Sequence, residues 1–218
     1  MEQFHVAIDG PAGSGKSTIS QNVSNETGWQ HIDTGAMYRA VTYWALKLNL
    51  NLADENSYEF LNKIDIKYLN NKVFINDIDL SSVIRSDDVT QNVSLVSKFS
   101  FVRKKLVEIQ QNLAKNKNII MDGRDIGTVV LPNANLKIFL TANIKVRAKR
   151  RYNEKLNNGQ NVNLDELINN INTRDKKDSS RIESPLKIAD DAVIIDTTYL
   201  SIRQVVEKII EMIERRRK

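Results

Sequence analysis

The chain contains no cysteine and only two histidines in 218 residues, so disulfide staples and thiol–zinc sites are excluded. His5 and His31 have no partner at metal-ligand spacing, and both are read as strand residues. No apolar run approaches the ~18 residues that a membrane span requires, so no membrane partner is expected. The first residues pass almost at once into an apolar strand, so no signal or transit peptide is expected and a cytoplasmic protein is anticipated. Internal repeats are absent, and no Asn-rich stretch is long or uniform enough to be disordered. The apolar share of 41% is modest but sufficient for the core of one α/β domain with an insertion.

The net charge of +5 is spread among 27 acidic residues. Its densest cluster, Arg215-Arg216-Arg217-Lys218, reads as a solvated helix end, where cations complement the helix dipole. Binding of nucleic acid is therefore not expected as the main role. Nothing in the sequence demands a dimer, and a monomer is anticipated.

What is present is concentrated near the N-terminus. Gly10-Pro11-Ala12-Gly13-Ser14-Gly15-Lys16-Ser17, followed by Thr18, comes straight after the apolar stretch Phe4-His5-Val6-Ala7-Ile8-Asp9. A strand, a Gly-rich turn and a helix-forming stretch in that order form a phosphate-binding P-loop. Glycines let successive backbone N–H groups converge on phosphate oxygens, and the following helix N-terminus adds partial positive charge. Lys16 is expected on the β- and γ-phosphates of ATP, and Ser17 is expected to offer its hydroxyl to Mg²⁺.

The remaining pattern predicts a P-loop NTPase fold of class α/β: a central parallel five-stranded sheet flanked by helices, with a small antiparallel-strand insertion and a helical lid. Helices are predicted over 17–27, closed by Gly28, and over 36–48 with Met37, Ala40, Val41, Trp44 and Leu48 inward. Strands are predicted at 30–33, 118–122, 136–140 and 192–196. Ile64, Ile66 and Tyr68, then Val73, Ile75 and Ile78, alternate around Asn70-Asn71 as a hairpin. A long amphipathic helix is read from Phe99, Val102, Leu106, Ile109 and Leu113, and a final one from Ile202, Val205, Val206, Ile209, Ile210 and Ile213. Charged helices over 144–156 and 164–178 flank Asn157-Asn158-Gly159-Gln160, the composition of a mobile arm. One domain results, with a core of about 1–53, 98–147 and 182–218, an acceptor-binding insertion of about 54–97 and a lid of about 148–181.

A small GTPase would need a base-reading Asn-Lys-x-Asp segment at the end of a central strand, and none is read there. A motor or transporter ATPase would be longer. The remaining small class passes the γ-phosphate to a small acceptor and needs a second anion site. Asp33-Thr34-Gly35-Ala36-Met37-Tyr38-Arg39 and Asp122-Gly123-Arg124-Asp125-Ile126-Gly127-Thr128 supply candidates. In each, a strand is expected to end in a glycine turn that opens at the carboxyl edge of the sheet, where ligands of parallel sheets bind.

These two segments, with Asn76–Arg85, Asn92-Val93-Ser94, Val102-Arg103 and Arg174-Asp175-Lys176-Lys177-Asp178-Ser179-Ser180-Arg181, resemble the bacterial cytidylate kinases nearly end to end. The second segment and the Arg-Asp-x-x-Asp-x-x-Arg pattern are far more specific than the P-loop. The main variation is Thr34, where the family often has serine, and either residue offers a hydroxyl. The resemblance implies transfer of phosphate from ATP to CMP or dCMP. It implies that Arg39, Arg124 and Arg181 hold the acceptor phosphate with Thr34 nearby, and that Ser94, Arg103 and Asp125 read the cytosine edge. Arg174 and Asp178 are implied near the acceptor phosphate and sugar, with Asp178 accepting from a ribose hydroxyl. Lys16, Arg124 and Arg181 then neutralise charge on the transferred group. Arg147, Arg150 and Arg151 are left open between a role over ATP and a solvated helix face. Asp122 is open between metal coordination and bracing its own turn.

Overall fold

Residues 3–157 and 159–217 are described by a computed structural model of the chain. Asn158 of the expected arm and Lys218 of the basic tail lie outside the described residues. The chain divides into two compact units, residues 1–31 with 117–218 and residues 32–116.

The first unit is built on a parallel sheet. Strand β1 (His5–Asp9) lies at its centre between β6 (Ile119–Gly123) and β7 (Leu136–Thr141), with β8 (Val193–Asp196) beyond β7. Gln30 and His31 begin β2 (Gln30–Asp33), which completes the five-stranded sheet on the far side of β6. Val6 lies opposite both Ile120 and Leu136, so β1 is paired along both edges. These strands are near-continuous apolar runs because helices cover both faces of such a sheet. Helices α1 (Lys16–Thr27) and α7 (Ile202–Arg217) pack through Ile19, Val23, Val205, Val206, Ile209 and Ile213 into one cluster with the strands. In α7, Ile202 lies outside that stripe and is exposed. The charged helices α5 (Ile144–Asn157) and α6 (Leu164–Ser179) join through a small apolar cluster of Ala148, Leu167 and Ile171, so this segment has a core of its own.

The second unit holds α2 (Thr34–Lys47), a 3₁₀ helix (Glu55–Asn62), the strands β3 (Ile66–Leu69), β4 (Lys72–Ile75) and β5 (Ile78–Asp79), and helices α3 (Asp87–Val96) and α4 (Ser100–Ala114). The antiparallel sheet has three strands rather than the expected two. Its turns are Asn70-Asn71, with φ of 49° and 61°, and Asn76-Asp77, with φ of 49° and 64°. Both are two-residue turns of the left-handed kind that Asn and Asp tolerate, and their twist suits a hairpin. Ile78 pairs with Ile75 on the edge strand but faces solvent.

Several boundaries differ from the sequence expectation for identifiable reasons. Helix α2 starts at Thr34, because Asp33 caps it by accepting the Ala36 N–H at 3.1 Å. There is consequently no glycine turn between β2 and α2. The inward face of α2 is Met37, Ala40, Val41 and Ala45, while Leu48 is exposed. In α4 the buried residues are Val102, Arg103, Leu106, Gln110 and Ala114, so Ile109 and Leu113 sit at the margin. Helix α3 was not anticipated. Asn62-Lys63-Ile64-Asp65 has the letters of a guanine-reading segment, but it leads from the 3₁₀ helix into β3 and does not end a central strand. No helix among the described residues is long and apolar enough to cross a membrane.

Candidate active site

The P-loop leaves β1 through Gly10, whose φ of +149° brings its Cα hard against β7. A methyl group there would lie 2.0 Å from the carbonyl oxygen of Leu140. Backbone cannot move aside as a side-chain tip can, so Gly10→Ala is expected to cost about 1–3 kcal/mol of stability and to distort the loop. Urea unfolding of the variant checks this.

Lys16 opens α1 and is buried. Its Nζ donates to the Pro11 carbonyl at 2.8 Å and to Ser14 Oγ at 3.4 Å, so its ammonium is held among the loop's own oxygens. Burial, followed by the positive field of Arg124, holds its pKa well below the ordinary lysine range. A polyphosphate would supply the negative charge this cation lacks. Next to it, Ser17 Oγ donates to Asp122 Oδ2 at 3.0 Å. Asp122 is the penultimate residue of β6 and is buried, and its other oxygen accepts from His31 Nε2 at 2.6 Å. A hydroxyl and a carboxylate oxygen side by side at the head of α1 are the hard donors that Mg²⁺ takes, so these residues fit that ion.

Asp9, also buried, accepts the N–H groups of Ile126 and Gly127, each at 2.8 Å. It thereby ties the end of β1 to the single π-helical turn Ile126–Val130 that follows Asp125. Burial pushes its carboxyl up to about 7, against the opposing pull of those two N–H groups.

The second feature of this unit is an arginine cluster around Asp178, which is 1% exposed. Arg124 Nε donates to Asp178 Oδ2 at 2.9 Å, Arg181 Nη2 donates to Oδ1, and Arg174 Nε stands 4.0 Å from Oδ2. Helix α6 ends at Ser179, so Arg181 reaches back from beyond it rather than from its face. Burial pushes the Asp178 carboxyl up, but the charges of Arg124, Arg181 and Arg174 outweigh it and hold the pKa below the ordinary value. Three guanidinium groups around one carboxylate leave a surplus of positive charge and fork-shaped donors, a setting suited to a phosphate.

The other four expected residues belong to the second unit. Arg39 Nη1 lies 3.6 Å from Asp33 Oδ2, and Arg85 Nη2 lies 3.5 Å from the same oxygen. Gly35 serves by its size here: a Cβ would come within 3.4 Å of both terminal nitrogens of Arg39 and 3.0 Å of Asp33 Oδ1. Thr34 is buried at the first position of α2. Arg103 is buried with its guanidinium 5.3 Å over the Tyr38 ring, and its Nη1 donates to the Ser97 carbonyl at 3.2 Å. Ser97 Oγ in turn donates to the backbone carbonyl of Ser94 at 3.3 Å, so Ser97, just after α3, touches both Arg103 and the Ser94 backbone.

A model of the family described as cytidylate kinase matches residues 6–215. The chain belongs to the cytidylate kinase family. A protein named cytidylate kinase from Acholeplasma laidlawii (strain PG-8A) is 56% identical over 214 residues, covering 98% of this chain and 96% of that one. Another so named, from Bacillus subtilis (strain 168), is 47% identical over 220 residues and covers 99% and 98%. Among solved structures, an uncharacterized protein from Eubacterium ventriosum ATCC 27560 aligns with a TM-score of 0.57 at 13% identity over 97% of this chain and 99% of that one, a likeness of fold alone. Membership makes the chain a nucleotide-binding phosphotransferase, a kinase.

Within that family frame, no role for Asp175 is read from the sequence, and those of Arg147, Arg150 and Arg151 are left open there. His31 is a strand residue as expected, yet it also orients Asp122. Arg147 is buried and donates from Nη1 to the Ala12 carbonyl at 2.9 Å, and Asp175 accepts the Ala12 N–H at 3.1 Å. Arg150 donates to Thr197 Oγ1 at 3.0 Å and to the Thr197 carbonyl at 2.7 Å, while Arg151 pairs with Glu154 at the surface. Of the three arginines of α5, Arg147 and Arg150 bond to the P-loop, and Arg151 is half-buried and paired within its own helix.

Proposed function

We propose that the chain transfers the γ-phosphate of ATP to CMP or dCMP, giving ADP and CDP or dCDP, by direct in-line displacement. The observation that carries this reading is the occurrence, in one unit, of a P-loop with a buried lysine and of three arginines gathered on Asp178. Donor and acceptor phosphates each need an anion site, and no covalent intermediate is required because the acceptor phosphate is already a nucleophile.

In this reading the P-loop backbone from Gly10 to Ser17, with Thr18, cradles the ATP phosphates, and Lys16 follows the charge that builds on the transferred group. Ser17 and Asp122 hold Mg²⁺, which supplies positive charge to the phosphate oxygens when bound. Arg124 and Arg181 turn from Asp178 toward the acceptor phosphate, joined by Arg39, Arg174 and the Thr34 hydroxyl. Ser94, Arg103 and Asp125 read the base: a carboxylate accepts from the cytosine N4 amino group, and an arginine donates to O2 and N3. Uracil would set its O4 against the Asp125 carboxylate, acceptor against acceptor. Asp178, already committed to arginines, is assigned here to holding them in place, with the ribose hydroxyl as its second duty. The substrates are small molecules; nucleic acid and membrane have no part in the reaction.

The test is coupled ADP release with CMP, dCMP, UMP, AMP and GMP in turn. Turnover on CMP or dCMP should exceed that on UMP by about 10²-fold or more in kcat/KM, because the wrong base leaves a buried polar group unpaired. Turnover led by UMP would refute the assignment of Asp125. ATPase activity stimulated by RNA or DNA and falling steeply with salt would replace the kinase reading altogether.

A further inference from the structure

Both backbone polar groups of Ala12, at the tip of the P-loop, are taken by side chains from the charged helices. Asp175 Oδ1 accepts its N–H at 3.1 Å, and Arg147 Nη1 donates to its carbonyl at 2.9 Å. The two side chains close the ring on each other, with Arg147 Nη1 2.5 Å from Asp175 Oδ2. This ring is a sheltered one, since the Arg147 side chain is 9% exposed and that of Asp175 is 18% exposed. Arg147 is anchored in turn, because its Nε donates to the Ala142 carbonyl just beyond β7. The loop also lies close on α5: a Cβ at Gly13, whose φ is +74°, would come within 3.2 Å of the Arg147 Cβ and carbonyl oxygen.

Asp175 stands on the same helix as the cluster assigned to the acceptor. Arg174 precedes it, and Asp178 follows three residues later, one turn along α6. One helix therefore touches the donor loop through Asp175 and carries Arg174 and the carboxylate on which Arg124 and Arg181 converge. We propose that Asp175 is a positioning residue that couples the two phosphate sites, so that ATP and CMP each bind more tightly when the other is present. The inference rests on the kinase reading above. Polyphosphate fixes the P-loop; a fixed loop fixes Ala12, and with it Asp175 and α6. The ordering of Arg174 and the Asp178 cluster is then already achieved when the acceptor arrives, and linkage makes the effect reciprocal.

Calorimetric titration of CMP, with and without the β,γ-imido analogue of ATP and Mg²⁺, reads the coupling directly. In the wild type the analogue should tighten CMP binding by about tenfold, within the range usual for coupled sites. In Asp175→Ala that factor should fall below about twofold, and Asp175→Glu should restore part of it. The ratio of the two affinities is the readout, which a merely structural loss would not move selectively. Should Asp175→Ala unfold, Asp175→Asn keeps an acceptor for the Ala12 N–H, loses the ion pair with Arg147, and should show a reduced factor. An unchanged factor in either folded variant, or no coupling in the wild type, overturns the proposal. Absence of CMP binding by the wild type, with or without the analogue, instead overturns the kinase reading and takes the proposal with it.

Discussion

Lys16→Met is expected to lower kcat/KM for ATP by about 10³-fold or more while leaving the melting temperature unchanged or slightly raised. The two effects separate because the role proposed for the lysine is to bind phosphate and not to hold the fold. Its ammonium is buried and held by the neutral oxygens of Pro11 and Ser14, and its pKa is depressed first by that burial and then by Arg124. A buried charge in such surroundings costs stability, and an apolar chain of similar length removes the cost. In the proposed complex with ATP the same charge would meet several negative oxygens, which would offset that cost. A calorimetric melt beside steady-state kinetics checks the prediction. A variant that keeps its ATP kinetics, or that melts many degrees lower, would remove Lys16 from the phosphate site.

The second large effect is on stability. Asp178→Ala is expected to destabilise the fold by about 3–5 kcal/mol, because it leaves Arg124 and Arg181, and Arg174 beside them, without the buried carboxylate they share. Inorganic phosphate should raise the melting temperature of this variant more than that of the wild type, since an anion replaces the missing charge. The pH dependence has a definite sign. Folding lowers the Asp178 pKa from its ordinary value of 3.8, so the folded chain releases that proton more readily than the unfolded chain does. The Asp178 contribution is therefore fully present above the unfolded value and is lost as pH falls through the folded one. Urea unfolding from about pH 5 down to about pH 2, across and below the unfolded value, should accordingly give Asp178→Asn a shallower acid limb than the wild type. An equally steep limb would mean that other carboxylates carry the acid sensitivity.

The parts of this molecule that could be read from the sequence are those whose cause is local. The stretch from β1 through Gly10 to α1 is such a case, since the glycine spacing and the apolar run lie within one short segment. So are the hairpin at Asn70-Asn71 and the cap at Gly28. Helix α3 carried a signal that was missed: Ser86 at its N-cap, Asp87 and Asp88 in its first turn, and Val89, Val93 and Val96 along its buried face. Valines read more readily as strand, and tertiary packing overrides that preference here. At Asp33 the residue types suggested a turn with Gly35, whereas the carboxylate caps a helix that begins at once.

The site divides the same way. Lys16, Ser17, Arg124 and Arg181 stood out through spacing and resemblance to the family. The ring of Asp175 and Arg147 around Ala12, and the bond from His31 to Asp122, did not, because these contacts join residues far apart in the chain. Ala12 and Asp175 are separated by 163 positions, Ala12 and Arg147 by 135, and His31 and Asp122 by 91. No periodicity encodes such pairings, and Asp175 sat within a recognised motif without a role of its own until the ring around Ala12 supplied one.

Passage of phosphate from ATP to a cytidine monophosphate can be followed by phosphorus NMR of a reaction started with equal ATP and CMP and run to completion. Resonances of CDP and ADP should grow together in equal amounts, with inorganic phosphate negligible. Growth of ADP and inorganic phosphate with CMP untouched would contradict that transfer, and would make the chain a hydrolase of ATP rather than a kinase of CMP.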